Sequence, residues 1–252
     1  MKIQLAPGRA SVSEIFSSIQ GEGLRMGERH IFIRFAACHM ACAYCDEAGK
    51  KGRELSLPEI LRRVEKLERE KGPHVCVSLT GGEPLLHADF LKPLIRALKK
   101  KGFRVLLETS GILWRQLSKV VRDCDIIAMD LKLSSVTLQK DFLEEHRKFL
   151  RIAISRECYI KIVVSRTLDR GEFDRHLRMV AAVAPKTPVF LQPVYETGRG
   201  SPVPLERPVS GEGKVYPPPA LMRFLDDLQR IGARRLSDVR VGIQLHKLMN
   251  IR

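Results

Sequence analysis

Aromatic side chains are scarce in this 252-residue chain: one tryptophan, four tyrosines and ten phenylalanines, 6% in all. A protein gripping single-stranded nucleic acid would interleave aromatics with its basic residues, so direct nucleic-acid binding is not expected. Long apolar runs are missing as well. None approaches the ~18 residues of a membrane-spanning helix, and Met1-Lys2-Ile3-Gln4 opens without the continuous apolar stretch of a signal peptide. A soluble, cytoplasmic protein is expected. Acidic residues are in short supply, 29 against 44 lysines and arginines, leaving a net charge of +15. That balance suits a polyanion binder or an enzyme with an anionic substrate. The basic residues are spread over helical segments (Arg62-Arg63, Lys99-Lys100-Lys101, Arg234-Arg235), which points to solvated helix faces instead of one groove. What is present suffices for folding. The 44% hydrophobic fraction supports a real core and excludes a largely disordered chain, and the length suits a single domain over residues 1–252.

From about residue 30, short β-branched apolar runs alternate with helical patterns. Strands are predicted at Ile31–Ala36, Val75–Leu79, Arg104–Glu108, Ile126–Asp130, Tyr159–Val164, Val189–Gln192 and Val239–Ile243. Their nearly unbroken apolar character fits strands buried on both faces. Ser56-Leu57-Pro58-Glu59 reads as a capping box with proline in the first turn, and Ile60, Leu61, Val64 and Leu67 then form one stripe, closed by Gly72. A second helix runs from Asp89 to Gly102, and others are predicted near 113–122, 137–150, 172–183 and 219–231. Repeated strand–helix units predict an α/β fold: a parallel sheet of six or seven units with right-handed crossovers, open or curved into a partial (β/α) barrel. Its reactive face belongs at the carboxyl ends of the strands. The irregular Gly/Pro-rich stretch Thr197–Pro219 is too long for an ordinary connector and reads as a lid or inserted loop.

Six cysteines occur. Cys76, Cys124 and Cys158 stand alone in or beside apolar runs, as small buried hydrophobes do. Cys38, Cys42 and Cys45 form a C-x3-C-x2-C cluster directly after the first predicted strand. Three thiolates so close can converge on zinc or an iron–sulfur cluster. Structural zinc asks for a fourth protein ligand; there is no second cysteine pair, and His39, inside the cluster, is poorly spaced for the task. A cluster with three cysteine ligands leaves one iron open for another molecule. After the next strand comes Thr80-Gly81-Gly82-Glu83-Pro84, where two glycines permit close backbone approach and a carboxylate can accept from an ammonium. Further polar strand ends are Glu108-Thr109-Ser110, Asp130-Leu131-Lys132 and Leu191-Gln192-Pro193. Four such ends around one sheet favour a site.

The cysteine spacing followed by Gly-Gly-Glu-Pro resembles the radical S-adenosylmethionine superfamily over nearly the full chain. The resemblance implies a partial barrel of the radical S-adenosylmethionine type and a 4Fe–4S cluster on Cys38, Cys42 and Cys45. It also implies S-adenosylmethionine chelated at the open iron and cleaved to a hydrogen-abstracting adenosyl radical. By the same resemblance Tyr44, Asp46, Gly81, Gly82, Glu83, Ser110, Lys132 and Gln192 contact S-adenosylmethionine. The N-terminal Glu14-Ile15-Phe16-Ser17-Ser18-Ile19-Gln20-Gly21-Glu22-Gly23, the strand bearing Arg34 and the ending Val239–Lys247 are similar to the 7-carboxy-7-deazaguanine synthase family of queuosine biosynthesis. That narrower likeness implies conversion of 6-carboxy-5,6,7,8-tetrahydropterin to 7-carboxy-7-deazaguanine with loss of ammonia. Ile19, Gln20, Gly21, Glu22, Arg34 and Thr80 then contact substrate, Gln244 and His246 border it, and magnesium assists. A flavodoxin or ferredoxin electron donor and a homodimer are implied too. One departure bears on magnesium: the family usually has threonine after Cys-Asp, and this chain has Glu47, a carboxylate that either ligates the ion or repels substrate. Two alternatives stand beside this reading, an activase of a glycyl-radical enzyme and a divergent enzyme acting on a related pterin.

Overall fold

The computed structural model describes residues 8–194 and 219–249; residues 197–218 of the Gly/Pro-rich stretch lie outside the described residues. Nine strands form one sheet: β1 (Arg9–Ile19), β2 (Arg29–Phe35), β3 (Arg53–Ser56), β4 (Cys76–Gly81), β5 (Arg104–Thr109), β6 (Ile126–Asp130), β7 (Glu157–Val164), β8 (Val189–Pro193) and β9 (Val239–Val241). Their order is β3-β1-β2-β4-β5-β6-β7-β8-β9. From β2 to β9 every pairing is parallel. Because the first and last strands of that order stand at opposite edges, the barrel is open. All seven predicted strands are present. Two were not predicted, β1 and β3, which pair antiparallel at one edge and make the sheet mixed.

The helices are α1 (Leu57–Lys71), α2 (Ala88–Lys100), α3 (Trp114–Val120), α4 (Ser134–Thr137), α5 (Leu143–Ala153), α6 (Arg170–Val183), α7 (Pro219–Ala233) and α8 (Leu245–Leu248). The capping box forms as read: the Ser56 backbone N–H donates to Glu59 at 2.7 Å, and Ile60 and Val64 face inward from α1. The helix predicted at 137–150 is split. Leu138 takes a left-handed backbone, φ 57°, which ends α4 after one turn, and α5 restarts where the Leu143 N–H donates to Asp141 at 2.9 Å.

Strand side chains alternate between two faces, and the two faces differ. Val77, Leu79, Val105, Leu107, Ile127, Met129, Ile160, Ile162 and Leu191 pack with Ile60, Leu91, Leu94, Leu117, Phe149, Phe173 and Leu225 of the helices in one continuous core. The other face has a small apolar floor of Cys76, Leu106, Ile126, Ala128, Tyr159 and Phe190. Toward the carboxyl ends that face turns polar, and there the cavity opens. Among the described residues no helix is long and apolar enough to cross a membrane.

Candidate active site

A cavity of about 480 Å³ lies over the carboxyl ends of the strands, within the ~300–1,000 Å³ usual for small-molecule sites. Its wall is the 36–52 connection between β2 and β3. Backbone bonds tie this loop down: Ala43 N–H to the Thr137 carbonyl at 3.2 Å and Cys45 N–H to Cys42 at 3.1 Å. Cys38 and Cys45 are exposed, Cys42 is half-buried, and all three are unbridged and line the cavity. Of the three isolated cysteines, Cys76 and Cys124 are buried as expected, and Cys158 is only half-buried.

The turn after β4 is held against the root of that loop. Gly82 N–H donates to the Phe35 carbonyl at 2.9 Å and Glu83 N–H to Ala37 at 3.0 Å. A Cβ on Gly82 would stand 2.0 Å from the Ala37 oxygen, and one on Gly81, at φ +116°, 2.2 Å from the Phe35 oxygen. These glycines therefore seat one backbone on another as well as lining the cavity. Glu83 does not line it. Fully buried, its carboxylate accepts from Leu85 N–H at 3.0 Å, the Thr109 hydroxyl at 2.8 Å and the N–H and hydroxyl of Ser110. It ties β4 to β5. The other predicted site residues all line the cavity.

The side chains opposite the cysteines form one charged network. Lys161, from the middle of β7, places Nζ 2.9 Å from Glu22, 3.3 Å from Asp130 and 3.8 Å from Glu108. Burial would drive this ammonium to lose its proton, but Asp130, Glu22 and Glu108 outweigh burial and hold its pKa well above the ordinary lysine value. Lys132, partly buried, pairs with Asp130 at 2.9 Å and lies 3.4 Å from the Tyr44 hydroxyl; desolvation opposes and Asp130 restores its charge. Burial pushes the Tyr44 phenol up to about 12, so it stays protonated. Glu22 is disfavoured as a carboxylate by burial, yet Lys161 and a 2.6 Å bond from Gln244 keep it ionised, with its pKa below the usual value. Gln20 donates to Glu108 at 2.9 Å and Thr80 to the same carboxylate at 3.2 Å.

Arg34 alternates with Ile33 and Phe35 as predicted, those two lying in the core and Arg34 facing the cavity. Its guanidinium is bonded to Glu47 and stands 3.6 Å from Glu14; Lys50 reaches Glu47 at 2.8 Å. Glu47 is thus already neutralised by two cations, and Asp46 pairs with Lys247 at 3.3 Å. Gly21 reads differently from the flexible turn expected of Gln-Gly-Glu-Gly. A Cβ there would stand 2.2 Å from the His246 ring, and Leu245 N–H donates to its carbonyl at 3.0 Å; the glycine lets α8 close over the cavity rim. Lys161 was missed in the sequence. Its signal was a single lysine inside Tyr159-Ile160-Lys161-Ile162-Val163-Val164, since a strand covered on both faces tolerates a lysine only when it is paired.

The donor set fits an iron–sulfur cluster. Among the described residues, the one group of three ligating side chains whose atoms all lie within 4.8 Å of one another is Asp141, Glu172 and His176. The three cysteine sulfurs therefore spread wider than the ~3.8 Å to which a single tetrahedral zinc with ~2.3 Å bonds would draw them. All three line one cavity, and three cysteines with a wider spread are the donor set of a larger centre such as an iron–sulfur cluster.

Comparison with known proteins agrees. The radical SAM superfamily model matches residues 32–182. A 7-carboxy-7-deazaguanine synthase of Geobacter sulfurreducens is 35% identical over 263 aligned positions, covering 96% of this chain and 98% of the relative. One of Methanopyrus kandleri is 34% identical, covering 95% and 93%. Among solved structures, QueE from Escherichia coli superposes with a TM-score of 0.60 at 21% identity over 94% of this chain and 95% of that one. Streptococcus suis SuiB bound to its precursor peptide SuiA does so at 0.56 and 16% identity, over 84% of this chain and 48% of that one; both carry the same fold. With three cysteines at the rim of an open, mostly parallel sheet and relatives aligned nearly end to end, this chain belongs to the radical SAM superfamily and, within it, to the 7-carboxy-7-deazaguanine synthase family.

Proposed function

We propose that this chain is a carbon–nitrogen lyase that converts 6-carboxy-5,6,7,8-tetrahydropterin to 7-carboxy-7-deazaguanine with loss of ammonia, on the route to queuosine in tRNA. The observation that carries the reading is the Glu22–Lys161–Gln244 cluster facing the cysteine loop across one cavity. A pterin presents a row of N–H donors and carbonyl acceptors along one edge. Glu22, held ionised, accepts from that row; Gln20, Gln244 and Lys161 complete it with donors. When bound, a 4Fe–4S cluster on Cys38, Cys42 and Cys45 together with S-adenosylmethionine supplies one-electron, hydrogen-abstracting chemistry. The residues expected around S-adenosylmethionine are Tyr44, Asp46, Gly81, Gly82, Ser110, Lys132 and Gln192, with Lys132 the cation for its carboxylate.

Arg34 and Lys50 take the charge-neutralising part that magnesium plays for a substrate carboxylate. Glu47, already shared between them, positions the pair and is not a free ligand for a hard cation. The net positive surface suits docking of an acidic flavodoxin or ferredoxin, and the assembly is read as a homodimer. The activase alternative loses ground, because the relatives aligned over almost the whole chain are synthases.

The test is anaerobic reconstitution followed by incubation with the carboxylated tetrahydropterin and a reductant. Deazapurine and ammonia in equal amounts are expected. Cleavage of S-adenosylmethionine without deazapurine would leave the superfamily standing and reject this substrate, pointing to a related pterin.

A further inference from the structure

Behind the cavity, on the helix side of the turn that follows β6, sits a cluster that the synthase reading does not use. Glu172 and His176 are four residues apart on α6, which puts both on one helix face. Asp141 approaches from the segment before α5. His176 is fully buried, and its Nδ1 is 2.9 Å from the Glu172 carbonyl. That carbonyl can only accept, so Nδ1 donates to it, and in the neutral ring the Nε2 lone pair is free to ligate. Nε2 has no hydrogen-bond partner; it faces Asp141 Oδ1 at 3.4 Å, beyond the ~2.7–3.2 Å of an N–H···O bond. Buried polar atoms are rarely left in this condition.

We propose that Asp141, Glu172 and His176 form a second metal site, for a divalent ion of the zinc class, separate from the cysteine cluster. Two ligands bound at ~2.0–2.1 Å to a tetrahedral zinc stand ~3.3–3.4 Å apart, and the Nε2–Oδ1 separation is 3.4 Å. The ligating atoms of all three side chains lie within 4.8 Å of one another. Each carboxylate has other partners and keeps lone pairs to spare. Asp141 accepts from Leu143 N–H at 2.9 Å and from Arg175 at 3.1 Å; Glu172 accepts from Ser134 and Ser135 N–H at 2.6 and 3.0 Å. The set of one imidazole and two carboxylates is that of a borderline ion, with water filling the remaining position. Asp141, exposed to solvent, provides the entry path. The ion would pin the turn carrying Lys132, because Glu172 caps Ser134 and Ser135 and His176 packs edge-on against His146, whose Nε2 accepts from Lys132 N–H at 3.3 Å.

The test uses the reconstituted holoenzyme, whose cysteine sulfurs are occupied by iron. It is dialysed against micromolar zinc, and zinc and iron are counted per chain. One zinc with undiminished iron is expected, with Asp141→Asn and His176→Gln each weakening zinc binding at least tenfold. Asp141 is exposed, so D141N keeps the test decisive even where H176Q fails to fold. A full chain with Cys38, Cys42 and Cys45 all changed to serine should bind the same single zinc and melt at higher temperature with it. No zinc retained, or equal retention in D141N, would overturn the proposal and leave an ordinary His176–Asp141 contact. The zinc count does not depend on whether the carboxylated pterin is the substrate.

Discussion

Lys161 sets the electrostatics of the cavity, and its value follows from what its removal would strand. Lys161→Met leaves Glu22, Asp130 and Glu108 facing one another without the ammonium that joins them. Breaking such a buried pair costs ~3–5 kcal/mol, so denaturant unfolding of the apoprotein should show a loss of that size. The network holds across neutral pH. Lys161, its pKa raised, contributes fully below the ordinary lysine range and loses that contribution only as pH climbs through its higher folded value. Glu22 and Asp130, their pKa values lowered, contribute above the ordinary carboxylate range and fail only as pH drops through their folded values. His146 behaves oppositely to both. Burial first, then its neighbour His176, depresses it to about 3, so below ~6.5 the unfolded chain binds a proton that the folded chain refuses. From this one group stability should fall as pH drops below 6.5, the slope rising from about half of ~1.4 kcal/mol per pH unit to nearly that full value by pH 5. Urea midpoints of His146→Gln, measured with chelator present, should lose that portion of the slope. At Glu47 the outcome is kinetic: Glu47→Thr removes the carboxylate that bridges Arg34 and Lys50. Turnover of wild type is expected to survive magnesium chelation, and turnover of E47T to fall severalfold unless magnesium is restored.

Among the elements, the ones most legible in the sequence were those whose job is packing. Ile60 and Val64 on α1 and Leu91, Leu94, Ile95 and Leu98 on α2 repeat at helical spacing and are buried. β1 escaped notice because its residues Ser11, Ser13, Glu14, Ser17 and Ser18 dilute the alternation. It pairs along β2 with a register shift between Val12 and Glu14, and its inner face serves the cavity, so apolar residues are not required there. The lone α4 turn escaped because one left-handed residue, Leu138, interrupts a pattern that otherwise reads as continuous helix. Where two elements meet at a glycine, substitution tests the contact. Gly82→Ala would set a Cβ 2.0 Å from the Ala37 oxygen and push the turn off the root of the cysteine loop. Iron content after reconstitution should drop well below that of wild type while far-ultraviolet circular dichroism is retained, since the displaced contact lies at the loop and not in the core.

At the scale of the whole molecule, some peripheral charges are paired, as in Lys99–Asp125, Lys101–Glu65 and Lys119–Asp89, each pair worth little to stability, and the excess of basic over acidic residues leaves +15. Its expected consequence is long-range attraction of an acidic electron donor, which salt screens. Reduction by flavodoxin or ferredoxin should slow steeply as ionic strength rises, while chemical reduction by dithionite should change little. Strand–helix alternation and the cysteine loop were legible along the chain, because apolar periodicity, capping and cysteine spacing involve residues close in sequence. Which charges meet is settled by the fold. Glu22, Glu108, Asp130, Lys161 and Gln244 come from five separate segments, and Asp141 reaches Glu172 and His176 from across a helix–helix boundary. Ion pairs and metal ligands act over a few ångströms, and the curvature of the sheet brings those ångströms together without leaving a mark in the order of residues.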